Sequence, residues 1–179
     1  MRRAILGIAA VTAIPLLALV ILDFADARSP APNLLPQDQR ATSVLIEKGA
    51  RRLTLLKEGQ PFRTFEISLG TNPVGHKQQE GDRRTPEGVY VIDFKNARSR
   101  FHLALRISYP SAEDRKRAQD RDAPPGSDIM IHGIRNGLGW LGHLHLSYDW
   151  TDGCIAVANP EIQDIWAMVD IGTPVEIRP

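Results

Sequence analysis

From Thr42 onward the apolar residues come in short runs that end at turns, and this constrains the fold more than any other feature of the chain. Val44-Leu45-Ile46 and Leu53-Thr54-Leu55-Leu56 flank a turn at Gly49, and Glu58-Gly59 marks the next reversal. Phe65, Ile67 and Leu69 then alternate with Glu66 and Ser68, the period-two pattern of a half-buried strand. Three strands joined by short turns form a meander. Val89 to Phe94 and Leu103 to Ser108 give two more, Asp128 to Ile131 a short one, and Val175-Glu176-Ile177 the last. The spacing predicts a mainly β, β-rich α+β domain with one or two peripheral helices.

Two helices stand out against that background. Ser111 is placed as an N-cap with Asp114 reaching back, and the following Arg115, Lys116, Arg117 and Gln119 read as a solvated surface helix. In the second, Asn159 reads as N-cap, Pro160 as first helical residue and Glu161 as the dipole partner. Ile162, Ile165, Trp166 and Val169 fall on one face, which makes Trp166 a core residue, and Gly172 is placed to end the helix.

The N-terminus is of another kind. Met1-Arg2-Arg3 precedes a run from Ala4 to Leu22 broken only by Thr12 and Pro15, with Ala25-Asp26-Ala27 as a small-x-small site. Residues 1–27 therefore read as a signal peptide or a membrane anchor in the inner membrane, the run being near the roughly 20 residues that span a bilayer. Either way the rest is expected outside the cytoplasm, because Arg2 and Arg3 hold the N-terminus inside. Residues 28–41 are Pro-rich and polar and read as a flexible tether, leaving 42–179 as the folded domain. Lys and Arg number 22 against 21 Asp and Glu, so no basic excess points to nucleic acid. Gly70 to Gly88 is a long, glycine-punctuated polar loop, a length that in a compact domain usually serves function.

Cys154 is the one cysteine of the chain, so no disulfide within it is available. It sits on the turn Thr151-Asp152-Gly153-Cys154, and His132-Gly133 follows a short apolar strand upstream. A thiol becomes an effective nucleophile when a histidine, itself oriented by a third group, takes its proton. His132 at a strand end is held rigidly, and the Gly133 carbonyl can accept the other ring proton. Gly153 lets the chain turn beside Cys154, and the Gly153 and Cys154 amides are candidate oxyanion donors. A zinc site on His143-x-His145 is the weaker reading, since only one thiolate is at hand. Gly137 to Gly142 matches a dinucleotide-binding string but lacks the βαβ setting that gives the string meaning. Neither a metal nor a cofactor is expected, and His143 and His145 read as loop contacts around Trp140 and Trp150.

Ile131-His132-Gly133, a spacer, and Thr151-Asp152-Gly153-Cys154-Ile155 resemble the signature of the YkuD-type L,D-transpeptidases. The similarity extends to Gly81-Asp82 through Thr85-Pro86-Glu87-Gly88 with Tyr90, and to the closing Gly172-Thr173-Pro174-Val175-Glu176-Ile177. The resemblance implies a sandwich-like β domain acting in the periplasm on peptidoglycan stem peptides. It implies Cys154 as nucleophile, His132 as base, the Gly133 carbonyl as orienting group, and Thr151 as holder of the turn and substrate contact. Asp152 where many members have His, Ala156 where many have a polar residue, and a long spacer resemble a YafK-like branch, which includes enzymes releasing wall-attached lipoprotein. Acyl transfer to an amine is the first expectation, hydrolysis the second and a non-catalytic wall-binding module the third. Asp152, Arg135 and Trp140 are further candidate substrate contacts, with Arg135 and the Arg83-Arg84 pair as stand-ins for a lost carboxylate contact.

Overall fold

The computed structural model describes residues 30–179; the segment read from the sequence as a signal peptide or anchor lies outside them. Eight strands are present: β1 (Ser43–Glu47), β2 (Arg52–Lys57), β3 (Gln60–Glu66), β4 (Gly88–Ser99), β5 (His102–Ile107), β6 (Met130–His132), β7 (Ile155–Ala156) and β8 (Pro174–Arg178). They form one sheet in the order β3-β2-β1-β8-β4-β5-β6-β7. The expected meander is its first edge, with β1 antiparallel to β2 and β2 antiparallel to β3. The third strand, however, runs over Gln60–Glu66 and ends where the alternation from Phe65 to Leu69 had placed it. The last strand of the chain inserts beside the first, β8 running parallel to β1.

β4 joins the two halves. Its first four residues pair with β8, and from Ile92 onward it pairs with β5 through bulges. Bulges bend and twist a strand, so a single long element can serve both faces of a sandwich. The two ends of the sheet then meet. Beyond β3 the chain continues to Ser68 and Gly70, which form bridges with Ala156 and Thr151. Ser68 and Ala156 exchange both backbone hydrogen bonds, at 2.9 and 2.8 Å. That closure falls beside Cys154, which is why the site is there. It also buries Ser68, expected on the polar side of its strand; its hydroxyl donates to the carbonyls of Tyr148 at 3.0 Å and His145 at 3.2 Å.

Helix α1 (Ala112–Gln119) carries the expected capping box: Ser111 Oγ accepts from Asp114 N, and the Asp114 carboxylate accepts from Ser111 N. Its polar sequence is not wholly solvated, because Asp114 is buried and accepts from the Tyr90 hydroxyl at 3.1 Å. Helix α2 (Asn159–Met168) lays Ile162, Ile165, Trp166 and Val169 against the core as their spacing required. Burying each aliphatic of that face contributes roughly 1.5–3 kcal/mol.

Two details of α2 differ from expectation. Its N-cap is Ala158, whose N–H is taken by Glu161 Oε2 at 2.8 Å, so Asn159 and Pro160 are the first and second helical residues. Asn159 does not cap because its amide oxygen is used elsewhere, accepting from Ile134 N at 2.8 Å. Gly172, at φ 90°, does not end the helix, which stops at Val169; it makes the turn into β8, its N–H donating to Ile92 O. The segment expected as a tether packs against the domain at several points from Ala31 onward. Ala31 and Leu35 pack on the core, and the N–H groups of Leu35 and Ala41 donate to Ala167 and Met168.

Candidate active site

β6 delivers His132, with Ala104 of β5 opposite it. The His132 ring is buried, and its Nδ1 lies 2.6 Å from the Gly133 carbonyl oxygen. A carbonyl only accepts, so Nδ1 carries the proton and Nε2 keeps the lone pair a base needs. Gly133 has no room for a side chain: a β-carbon would stand 2.6 Å from Asn159 Oδ1, the oxygen that holds Ile134. Aromatic rings fix the imidazole from two sides. Phe101 lies 4.6 Å away, centroid to centroid, and Trp150 at 5.7 Å in a T-shaped arrangement. Trp150 is held in turn, its Nε1–H donating to His145 Nδ1 at 3.2 Å. Burial pushes the His132 imidazole down to about 4, against the opposing effect of its bond to Gly133.

The turn that carries Cys154 is closed by Thr151. Its hydroxyl donates to Cys154 O at 2.7 Å and accepts from Gly153 N at 3.1 Å. The Gly153 amide, expected as an oxyanion donor, is therefore already engaged. The Cys154 amide has no partner among the described residues and remains a candidate for that part. Asp149 anchors the approach to the turn, accepting from Leu69 N at 2.9 Å and pairing with Arg51 at 2.6 Å.

The long loop between β3 and β4 forms the back of this turn. The Asp82 carboxylate gathers the amides of Gln78 at 2.6 Å and Arg84 at 3.0 Å together with Lys77 Nζ at 2.8 Å. Burial alone would raise the Asp82 carboxyl, but these donors outweigh it and hold it below its usual range. At the loop's far side Lys48, buried, donates to Gly75 O, Thr85 O and Glu87. So tied, the loop presses the Arg83 carbonyl against Gly70 and the Arg84 carbonyl against Gly153. The Gly-Asp to Pro-Glu-Gly segment thus shapes the Cys154 turn from behind.

Cys154 and His132 line one cavity of about 450 Å³, with Thr151, Asp152, Trp150 and Phe101 among its walls. The Cys154 thiol points to Asp128, donating to its carbonyl at 3.6 Å, and not to His132. Burial pushes the thiol up to about 11; the Met130 amide works against this and the Asp152 and Asp128 charges add to it. Both shifts favour the uncharged forms of the thiol and the imidazole, which line the same cavity.

The remaining candidates separate. Thr151 and Asp152 line the cavity, whereas Arg135 and Trp140 do not. Arg83 lies 3.8 Å from Asp152, and Arg84 is partly buried. Arg98 and Arg100 line the cavity instead, and no local motif marked them. His143 meets Glu161 at 3.1 Å while His145 is buried under Trp150, so the two point to separate partners. The Gly137–Gly142 string enters a 3-10 segment, Gly139–Ser147, with no βαβ unit around it.

A sheet whose ends close on a Thr-x-Gly-Cys turn, with a carbonyl-oriented histidine in the same cavity, defines a cysteine-centred β domain. The family described as YkuD, the L,D-transpeptidase catalytic domain, matches residues 41–177, and the chain belongs to it. YafK of Escherichia coli K12, which carries a provisional L,D-transpeptidase name, is 27% identical over 155 residues, covering 80% of this chain. The chain spans 61% of that relative's length. Among solved structures, the helical cell shape determining protein Pgp2 of Campylobacter jejuni superposes with a TM-score of 0.57 at 22% identity. That match covers 88% of this chain and 54% of Pgp2. An L,D-transpeptidase of Mycobacterium smegmatis matches with a TM-score of 0.50 at 15% identity, over 76% and 58% of the two chains. At these identities the likeness is one of fold.

Proposed function

We propose that this protein is an exported cysteine acyltransferase acting on peptidoglycan stem peptides, with the diaminopimelate carbonyl as the site of attack. The observation that carries the reading is the cavity shared by Cys154 and a His132 whose Nδ1 is tied to the Gly133 carbonyl. Cys154 Sγ, turned from Asp128 towards His132, adds to the carbonyl carbon on the L-centre as its proton passes to His132 Nε2. The Cys154 amide faces the developing oxyanion. The C–N bond then breaks, His132 returns the proton to the leaving amine, and a thioester remains on Cys154. An acceptor amine gives its proton to His132 and takes the acyl group, which restores the thiol.

Hydrolysis is the second reading, favoured by the place of Asp152 at the cavity rim with its side chain almost fully exposed. A carboxylate there can accept a proton from water attacking the thioester, and a wall-attached lipoprotein would then be released. Incubation with tetrapeptide and lipoprotein-linked muropeptides, followed by mass spectrometry, separates the two. Cross-linked dimers are expected; release of the lipoprotein remnant with no dimer assigns the hydrolase instead. Replacing Cys154 by Ala is expected to abolish covalent labelling by a carbapenem while leaving the domain folded, and persistent labelling would defeat the assignment.

A further inference from the structure

The hairpin between β4 and β5 reverses at Arg100-Phe101, just after Arg98-Ser99 at the end of β4, and this tip lines the cavity. Both arginines are exposed, and neither has an ion pair among the described residues. Such a tip could be a loose surface turn; here it is built. Asn136, in the loop after His132-Gly133, holds it at three points. Its N–H donates to Arg100 O at 2.9 Å, its Nδ2 donates to Ser99 O at 3.1 Å, and its Oδ1 accepts from His102 N at 2.9 Å. Within the tip, Asn96 Oδ1 accepts from Arg98 N and Ser99 Oγ from Phe101 N. Phe101 then packs against the His132 ring at a tilt. The loop that orients the histidine therefore also positions the two guanidinium-bearing residues.

The other end of the cavity carries the opposite charge. Asp128 and Asp152 line it beside Cys154, whose thiol both carboxylates raise. Each has an exposed cation at the outer limit of an ion pair, Arg106 at 3.5 Å from Asp128 and Arg83 at 3.8 Å from Asp152. From His102, beside the tip, to Arg106, beside Asp128, four residues of β5 span about 13 Å. The cavity is thus positive at the hairpin end and negative at the cysteine end, with His132 between.

We propose that Arg98 and Arg100 are specificity-determining residues that read the free carboxylates of an acidic peptide whose carbonyl reaches Cys154; this rests on the acyl-transfer reading above. Guanidinium groups bind carboxylates through paired, charge-assisted hydrogen bonds. Asp128 and Asp152 repel the same carboxylates, so an acidic donor lies in one direction along the cavity, and they attract an ammonium to the thioester end.

The test is binding, measured apart from turnover. The full chain carrying Cys154→Ala is titrated calorimetrically with a diaminopimelate tetrapeptide muropeptide, first with free carboxylates and then amidated. Adding Arg98→Gln and Arg100→Gln is expected to weaken the free-acid ligand roughly tenfold per arginine and to leave the amidated ligand within twofold. Asn136→Ala is expected to give a smaller loss in the same direction. Iodoacetamide labelling of Cys154 at the parental rate, in the arginine variant that keeps the cysteine, shows the fold intact. Equal losses for acid and amide, no loss, or no binding at all overturns the proposal. Free-acid binding that depends on both arginines in a protein that turns over no muropeptide would defeat the acyl-transfer reading and leave the carboxylate site standing.

Discussion

The Arg84 carbonyl oxygen abuts the α-carbon of Gly153, so closely that a β-carbon there would stand 2.6 Å from it. Gly153 also has φ 122°, a conformation L side chains rarely adopt. Replacing Gly153 by Ala must therefore move the Arg84 backbone, the nucleophile turn, or both. Carbapenem acylation of Cys154 is expected to slow at least 100-fold, with a lower melting temperature. Acylation within threefold of the parent would show that the loop behind the turn does not set the position of the nucleophile.

A thiol pushed up to about 11 and an imidazole pushed down to about 4 make a poor preformed ion pair. Thiolate is then scarce at neutral pH and grows about tenfold per pH unit until the thiol titrates. Iodoacetamide alkylation of Cys154, followed by intact mass, is expected to climb from pH 6 to beyond pH 9 with no plateau. A rate flat between pH 5 and 8 would instead reveal a thiolate–imidazolium pair at rest.

His132 and His145 are both buried, and burial lowers each to about 4. In the unfolded chain they titrate near 6.5, so between pH 6.5 and 4 the unfolded state binds more protons and stability falls as the pH falls. Above pH 6.5 neither histidine contributes a pH dependence. Each costs on the order of 3 kcal/mol by pH 4. Urea midpoints measured from pH 7.5 to 4 are expected to drop steeply below 6.5, and His145→Gln is expected to flatten part of that slope. An unchanged slope in the variant would place the loss elsewhere.

Asn159 holds the histidine loop, not the helix end. Asn159→Ala leaves the buried Ile134 amide without its acceptor, at about 1–3 kcal/mol. Melting is expected about 2–10 °C lower. Asn159→Ser, a fine N-cap with a shorter reach, is expected to lose nearly as much. Full rescue by serine would restore the capping role.

Much of this protein was legible before any coordinates. Short alternating runs fix strands because side chains on a strand alternate between faces, and β1, β2, β5 and β8 fall where the runs fall. The capping box at Ser111 and the buried face of α2 were equally plain, since both are rules about residues three or four apart. So was the contact of His132 with the Gly133 carbonyl, because a histidine and the carbonyl of the next residue are neighbours in the chain itself. What the tertiary structure alone decided are relations between segments far apart. Nothing near Asn159 announces that Ile134 needs its amide oxygen, nor anything near Gly153 that Arg84 lies behind it. The engagement of the Gly153 amide by Thr151, the direction of the thiol and the exclusion of Arg135 and Trp140 from the cavity followed from where partners came to rest. Arg98 and Arg100 entered that cavity because Asn136, thirty-odd residues on, draws the hairpin tip over His132. Local sequence sets the period and the turns; packing in three dimensions sets which polar atoms are already spent.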